Sequence, residues 1–185
     1  MIKVDMPEFC NNLKSYILSS ENITVWGIFE QIEITYGRDD CNFEYCDTHN
    51  IPYYKDRDDG GCIVNFPGTI NIANFRSSSE GWLYPCFCYE FSKYLKKKGL
   101  NAEYDGNDVL VDGYKVASGF GYNLPPDFKR QFTGLGIFFN TDADLVRKIC
   151  KKPMVKEPKG LEQYGLTTEE CVEWLKEFFN KYNKE

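Results

Sequence analysis

The stretch Gly106-Asn107-Asp108-Val109-Leu110-Val111-Asp112-Gly113-Tyr114-Lys115-Val116-Ala117-Ser118-Gly119 decides how the chain is read. Asp112-Gly113, and Asp105-Gly106 just before it, are two-residue signals that favour primed hairpin turns, because such turns need residues that tolerate positive φ. The runs they separate, near 102–105, 108–112 and 114–121, are three short strands of a meander. Beyond it, Asn123 to Lys129 with Pro125-Pro126 reads as a loop. Gly134 to Phe139 then forms a strand leading into a helix from about Asp142 to Cys150. Lys151 to Gly160, interrupted by Pro153 and Pro158, cannot stay regular for long. The closing segment is helical: Thr167 and Glu170 make a capping box, and Cys171, Trp174, Leu175, Phe178 and Phe179 share one face.

Upstream of the meander, Trp82, Cys86, Tyr89, Phe91, Tyr94 and Leu95 give a helical pattern over 82–98. Ser77-Ser78-Ser79-Glu80 precedes it and Gly99 caps it, with Lys96, Lys97 and Lys98 at the negative end of its dipole. Earlier still, Phe9, Leu13, Tyr16 and Ile17 predict an amphipathic helix over 6–18. Ile23 to Phe29 and Ile32 to Tyr36 predict strands ended by Gly37-Arg38-Asp39-Asp40. A short helix follows around Phe43 to His49, then extended Ile51 to Tyr54. Cys62 to Phe66 and Thr69 to Ala73 are apolar stretches divided by a tight turn at Pro67-Gly68. Helices and largely antiparallel strands mingle without regular strand–helix alternation, so the expected class is α+β, a mixed, largely antiparallel sheet flanked by helices. At 185 residues one domain spanning 1–185, with no accessory C-terminal domain, is expected.

Charge and composition narrow the partners. A net charge of −6 argues against general nucleic-acid binding, whose affinity comes from Lys and Arg on phosphates. Two basic stretches, Lys93 to Lys98 and Arg147 to Lys159, read as solvated surface or as docking faces for an acidic protein. No apolar run reaches the roughly 20 residues of a membrane span. The start, Met1-Ile2-Lys3-Val4-Asp5, turns polar at once, so the eight cysteines are expected in a reducing cytoplasm. Neither Cys41 and Cys46 nor Cys86 and Cys88 has zinc-knuckle spacing, and the one histidine is His49.

A second segment, Arg57-Asp58-Asp59-Gly60-Gly61-Cys62, changes the meaning of the meander. Alone, Gly-Gly after acidic residues is an ordinary turn, and a lysine in a strand is an edge residue. In this order and spacing the two resemble the core shared by lipoate and biotin protein ligases, where a glycine-rich loop closes over an acyl adenylate and a strand lysine faces its phosphate. Tyr36-Gly37-Arg38 and His49-Asn50-Ile51-Pro52 resemble the segments leading to that loop. In register, Arg57 falls on the second signature arginine, Asp59 on the serine, Gly60, Gly61 and Cys62 on the three glycines, and Val64 on the adenine-contacting valine. Gly106-Asn107-Asp108 is similar to the family's Arg-Asn-Asp. This implies Asn107 and Asp108 near the nucleotide phosphates, with Asp108 a magnesium ligand. Lys115 is similar to the lysine at the activated carbonyl, and Ser118 and Gly119 to the small residue and glycine after it. Gly134 to Asp144 and Lys159-Gly160-Leu161 also have counterparts.

The chain departs from that pattern at named positions. Asp56 stands at the first arginine, Cys62 at the third glycine, and Phe66 and Pro67 at a His-Asp pair. After Lys115 the family's small residue and glycine are spread by an insertion, Val116-Ala117-Ser118-Gly119. The resemblance implies ATP and magnesium as cofactors, lipoate or a related carboxylic acid as substrate, and an acidic lipoyl-type protein as acceptor. The chemistry agrees: a carboxylate becomes electrophilic as a mixed anhydride with AMP, which needs a fixed cation and a lid of backbone N–H groups. An ATP-dependent ligase is favoured. A cysteine-dependent octanoyltransferase, with Cys86 or Cys150 as nucleophile, and a non-catalytic binding descendant of the same fold are the alternatives.

Overall fold

The computed structural model describes residues 2–4, 16, 22–55, 61–77, 84–123 and 130–182. Seven strands form the larger sheet: β1 (Ile2–Lys3), β2 (Ile23–Ile28), β6 (Ile70–Ser77), β7 (Ala102–Asp105), β8 (Asp108–Val111), β9 (Tyr114–Asn123) and β10 (Arg130–Ile137). Their order is β1-β2-β6-β10-β9-β8-β7. Only β1 and β2 run parallel; the other neighbours are antiparallel. A second sheet joins β3 (Glu33–Tyr36), β4 (Tyr53–Lys55) and β5 (Ile63–Asn65) in the order β4-β3-β5. The helices are α1 (Phe43–Thr48), α2 (Tyr84–Lys97), α3 (Ala143–Ile149) and α4 (Thr168–Tyr182), with a 3-10 turn over Leu161–Tyr164. The class is the expected α+β. The expected helix over 6–18 lies outside the described residues apart from helical Tyr16, and so does the expected loop over 124–129.

Local chemistry accounts for most boundaries. Thr167 N–H donates to Glu170 Oε2 at 3.0 Å and Glu170 N–H to Thr167 Oγ1 at 3.2 Å, the reciprocal pair that starts α4. The hairpins of the meander differ from one another. Val111 pairs with Tyr114 across Asp112 (φ 52) and Gly113 (φ 82), both positive, as a type I′ turn needs. Asp105 pairs with Asp108, so the first turn is Gly106-Asn107 and not Asp105-Gly106. Positive φ there is confined to Gly106 (φ 67), the type II′ pattern.

β6 and β10 run longer than their apolar stretches imply. Arg130↔Ser77 and Gln131↔Arg76 extend the ladder through polar residues, because partner strands supply the hydrogen bonds whatever the side chains outside. Asn123, expected in a loop, ends β9 opposite Gln131. Alternate residues of the large sheet face opposite ways. On one side Ile70, Ile72, Val109, Leu135 and Ile137 pack with Phe87 and Phe91 of α2 and Trp174, Phe178 and Phe179 of α4. On the other side Ala73, Phe75 and Phe132 join Val4 and Val25 in a smaller cluster. A third cluster, with Ile34, Cys41, Cys46 and Ile149 buried, ties the small sheet to α1 and α3.

Candidate active site

A cavity of about 250 Å³ opens on the face of the large sheet away from α2 and α4. Its wall is mainly apolar: Val64, Phe66, Ala73, Phe120, Phe132, Gly136, Phe138 and Met154 among others. Lys115, Ser118 and Lys156 bring polarity to one part of it, and Cys62 and Cys150 also line it. Two buried oxygens on its wall, Asn71 Oδ1 and Thr141 Oγ1, have no hydrogen-bond partner among the described residues. Buried polar atoms are seldom left unpaired, so these are open positions for a polar group of a ligand.

Asp108 organises the polar part. Lys115 Nζ donates to its Oδ1 at 2.9 Å and Ser118 Oγ to the same oxygen at 3.0 Å, while Lys156 Nζ donates to Oδ2 at 2.9 Å. Burial works to raise the Asp108 carboxyl, but these donors outweigh it and hold the group below the ordinary carboxylate range. Lys156 also pairs with Asp105 Oδ2 at 2.7 Å. Hydrogen bonds to Asp105 first, and then to Asp108, raise its ammonium above the usual lysine value against some desolvation.

The presence of Lys115 and Ser118 on one oxygen is a consequence of irregular pairing. They are three residues apart, so a regular strand would send them to opposite faces. The register on β8 passes from Val109↔Ala117 to Leu110↔Lys115, which leaves Val116 without a partner there. This β-bulge shifts the parity: Val116 and Ala117 both enter the helix-side core, while Lys115 and Ser118 both line the cavity. The extra residue of the bulge is Val116 alone, since Ala117 keeps its partner Val109.

Residues 151–160 form a strap over the cavity. Lys115 N–H donates to Glu157 O at 2.8 Å and Lys159 N–H to Lys115 O at 3.0 Å, pinning one end to β9. At the other end Lys151 N–H donates to Asp40 O at 2.8 Å, and Lys152 pairs with Asp40 at 3.0 Å. Met154, Lys156 and Pro158 line the cavity, whereas Val155 between them is 93% exposed. Gly160 fixes the exit, since a Cβ there would run into the Phe139 carbonyl. The basic segment is thus not a free positive face. Arg147 pairs with Asp144 and Glu157, Lys151 with Asp39, Lys152 with Asp40, and Lys159 lies over the Tyr114 and Tyr164 rings.

The other residues singled out from the sequence fall as follows. Arg57, Asp59 and Gly60 lie outside the described residues. Gly61 is exposed at the start of the segment that enters β5, and Cys62 and Val64 follow on the cavity wall. Asn107 sits in the hairpin turn, where its carbonyl accepts from Gly119 N–H at 2.5 Å and from Cys88 Sγ at 3.3 Å. Gly119 is buried in β9 beside Ser118. Cys62 is joined to Cys41 by a disulfide, a pairing that no spacing in the sequence signalled.

The two cysteines considered as nucleophiles separate. Cys86 is on α2, packed against the helix-side core and not on the cavity wall. Cys150 lines the cavity and donates to Cys62 O at 3.6 Å, but burial pushes its thiol up to about 11, leaving little thiolate at neutral pH. Both Asp108 oxygens already hold ammonium groups, and no group of three or more His, Cys, Asp or Glu placed for a metal occurs among the described residues. The donor set therefore does not fit the protein-held magnesium expected at Asp108. Lys156, Met154, Asn71 and the Phe120–Phe132–Phe138 wall were missed from sequence.

Comparison with known proteins places this geometry. Residues 16–183 match the family model described as the lipoyl protein ligase A/B catalytic domain. No curated protein matches the sequence. Among solved structures, P. falciparum LipL1 in complex with lipoate has a TM-score of 0.71 at 16% identity. That match covers 97% of this chain and 56% of that one, so the chain spans little more than half of that relative. Lipoate-protein ligase A bound with ATP has a TM-score of 0.65 at 14% identity, covering 89% of this chain and 75% of the other. A bipartite lipoate protein ligase from Thermoplasma acidophilum, studied with its E2 lipoyl domain, has a TM-score of 0.59 at 17% identity and covers 84% and 66%. At these identities the structural likeness is one of fold.

Proposed function

The chain belongs to the lipoyl protein ligase A/B catalytic-domain family, and from that premise we propose that it activates lipoate or a related carboxylic acid with ATP and transfers the acyl group to a lysine of an acceptor protein. The observation that carries the reading is one cavity that Lys115, Ser118, Cys62 and Val64 all line, apolar along most of its wall with ammonium groups at one part. Such a space suits an amphiphile: the tail gains from leaving water, and the carboxylate meets a fixed ammonium.

In the first step a carboxylate oxygen attacks the α-phosphorus of ATP, the bond to the bridging oxygen breaks, and pyrophosphate leaves. In the second, the acceptor ε-amine attacks the acyl carbonyl, loses a proton as the amide forms, and AMP departs. Lys115 offsets the negative charge shared by the acyl carbonyl and phosphate in both steps. Asp108, itself fixed by the Ser118 hydroxyl, holds and orients that ammonium. Arg57 and the loop around Asp59, Gly60 and Gly61 cover the phosphate, where missing Cβ atoms admit close backbone N–H groups. Val64 borders the adenine, and Asn107 and Gly119 keep the turn carrying Asp108 in shape. A lipoyl-type domain is the proposed acceptor. With so many cations of the 147–159 segment already paired, docking depends less on charge than the sequence implied.

The test is release of pyrophosphate from ATP in the presence of octanoate or lipoate. Lys115→Ala is expected to lower the rate about a hundredfold or more with an unchanged thermal melt. Full activity in that variant refutes the role of Lys115. A wild-type chain that binds octanoate yet never releases pyrophosphate is instead a non-catalytic binding descendant.

A further inference from the structure

We infer that Lys156 is a second ammonium of this cavity, gripping the anionic group of the bound ligand together with Lys115. The inference rests on the cavity being the ligand site, though not on the ligase reaction. Lys115 and Lys156 approach opposite oxygens of one carboxylate, each at 2.9 Å, and both side chains are 26% exposed. Asp108 thus holds the two ammonium groups side by side at the cavity wall. An ammonium has three N–H donors. Lys115 spends one on Asp108, and Lys156 spends two on Asp105 and Asp108, so each keeps a donor for an incoming oxygen.

The strap makes this placement deliberate. A segment folding for stability alone would bury valine and expose lysine. Here Val155 is 93% exposed while Lys156 is turned to the cavity wall. Its position is set by backbone bonds immediately after it, from Lys115 N–H to Glu157 O and from Lys159 N–H to Lys115 O. The backbone thus fixes the root of the side chain, and the ion pairs with Asp105 and Asp108 hold its ammonium.

The experiment is calorimetric titration of the full chain with octanoate and with octanamide, which has the same tail and no charge. Lys156→Gln is expected to weaken octanoate about tenfold, with octanamide unchanged and Lys156→Arg close to wild type. A readout needing no variant is acetylation of Lys156 by acetic anhydride, followed by peptide mass spectrometry. Octanoate should protect Lys156 of the wild-type chain and octanamide should not. Unchanged octanoate affinity in Lys156→Gln, equal loss of both probes, or equal protection by both overturns the inference. Wild-type protein that binds neither probe overturns the cavity reading along with it. Octanoate binding that depends on Lys156, without pyrophosphate release, upholds the inference and removes only the ligase reaction.

Discussion

The two faces of the seven-stranded sheet are built from neighbouring residues of the same strands, yet one is filled and the other hollow. Toward α2 and α4, Ile72 and Leu135 meet Phe87, Phe91 and Trp174 in a closed core. Toward the strap, the next residues along, Ala73 and Gly136, are small and stand among Phe120, Phe132 and Phe138, which leaves a cavity. Period-two alternation therefore encodes two things at once: large on one side for stability, small on the other for room. The cavity face carries open polar atoms and ion pairs, so under the proposed function it is the face on which stability yields to binding.

Substitution of adjacent residues should separate the faces. The largest effect is expected from Leu135→Ala, which empties a fully buried position and should cost about 2–5 kcal/mol in urea unfolding. Octanoate affinity of the molecules that remain folded should hardly move, and an equal loss of both would show that the faces are not independent. Gly136→Val is the mirror case. A Cβ there has its nearest neighbour at 3.6 Å, on Phe138, and the two γ-methyls project into the open cavity, so the fold should tolerate the change. Octanoate binding should weaken about tenfold, the equivalent of about 1.4 kcal/mol. The smallest effect concerns acid. Because Asp108 titrates below an ordinary carboxylate, its contribution to stability is present above about pH 4 and is lost as the pH falls through its folded pKa. Asp108→Asn should therefore show a shallower fall in melting temperature between about pH 5 and 2 than the wild type.

What the sequence made legible was whatever a few consecutive residues decide. The capping box of α4, the Asp112-Gly113 turn and the C-cap at Gly99 (φ 86) are local bargains between a side chain or a missing Cβ and its own backbone. Elements fixed by distant partners were harder to read. β1 is two residues held by Val25 and Trp26, and the first half of β10 is a strand because β6 lies beside it. Lys115, Ser118, Cys62 and Val64 were drawn together by family resemblance, and one cavity collects them. Lys156 was read as surface charge, because nothing within ten residues of it reveals that a proline-bounded segment crosses a pocket. The Cys41–Cys62 bond escaped for the same reason.

The unpaired residue at Val116 has a consequence for the spacing of the whole strand. One extra amino acid in a strand inverts every side chain beyond it, and here the ladder takes up the extra unit at Val116 and resumes at Ala117. Removing Val116 alone would force a choice between a lysine pushed into hydrocarbon and a serine turned away from its carboxylate. The spacing of this segment is therefore counted in whole pleats, and lengthening or shortening it by one tests the geometry as severely as replacing the lysine.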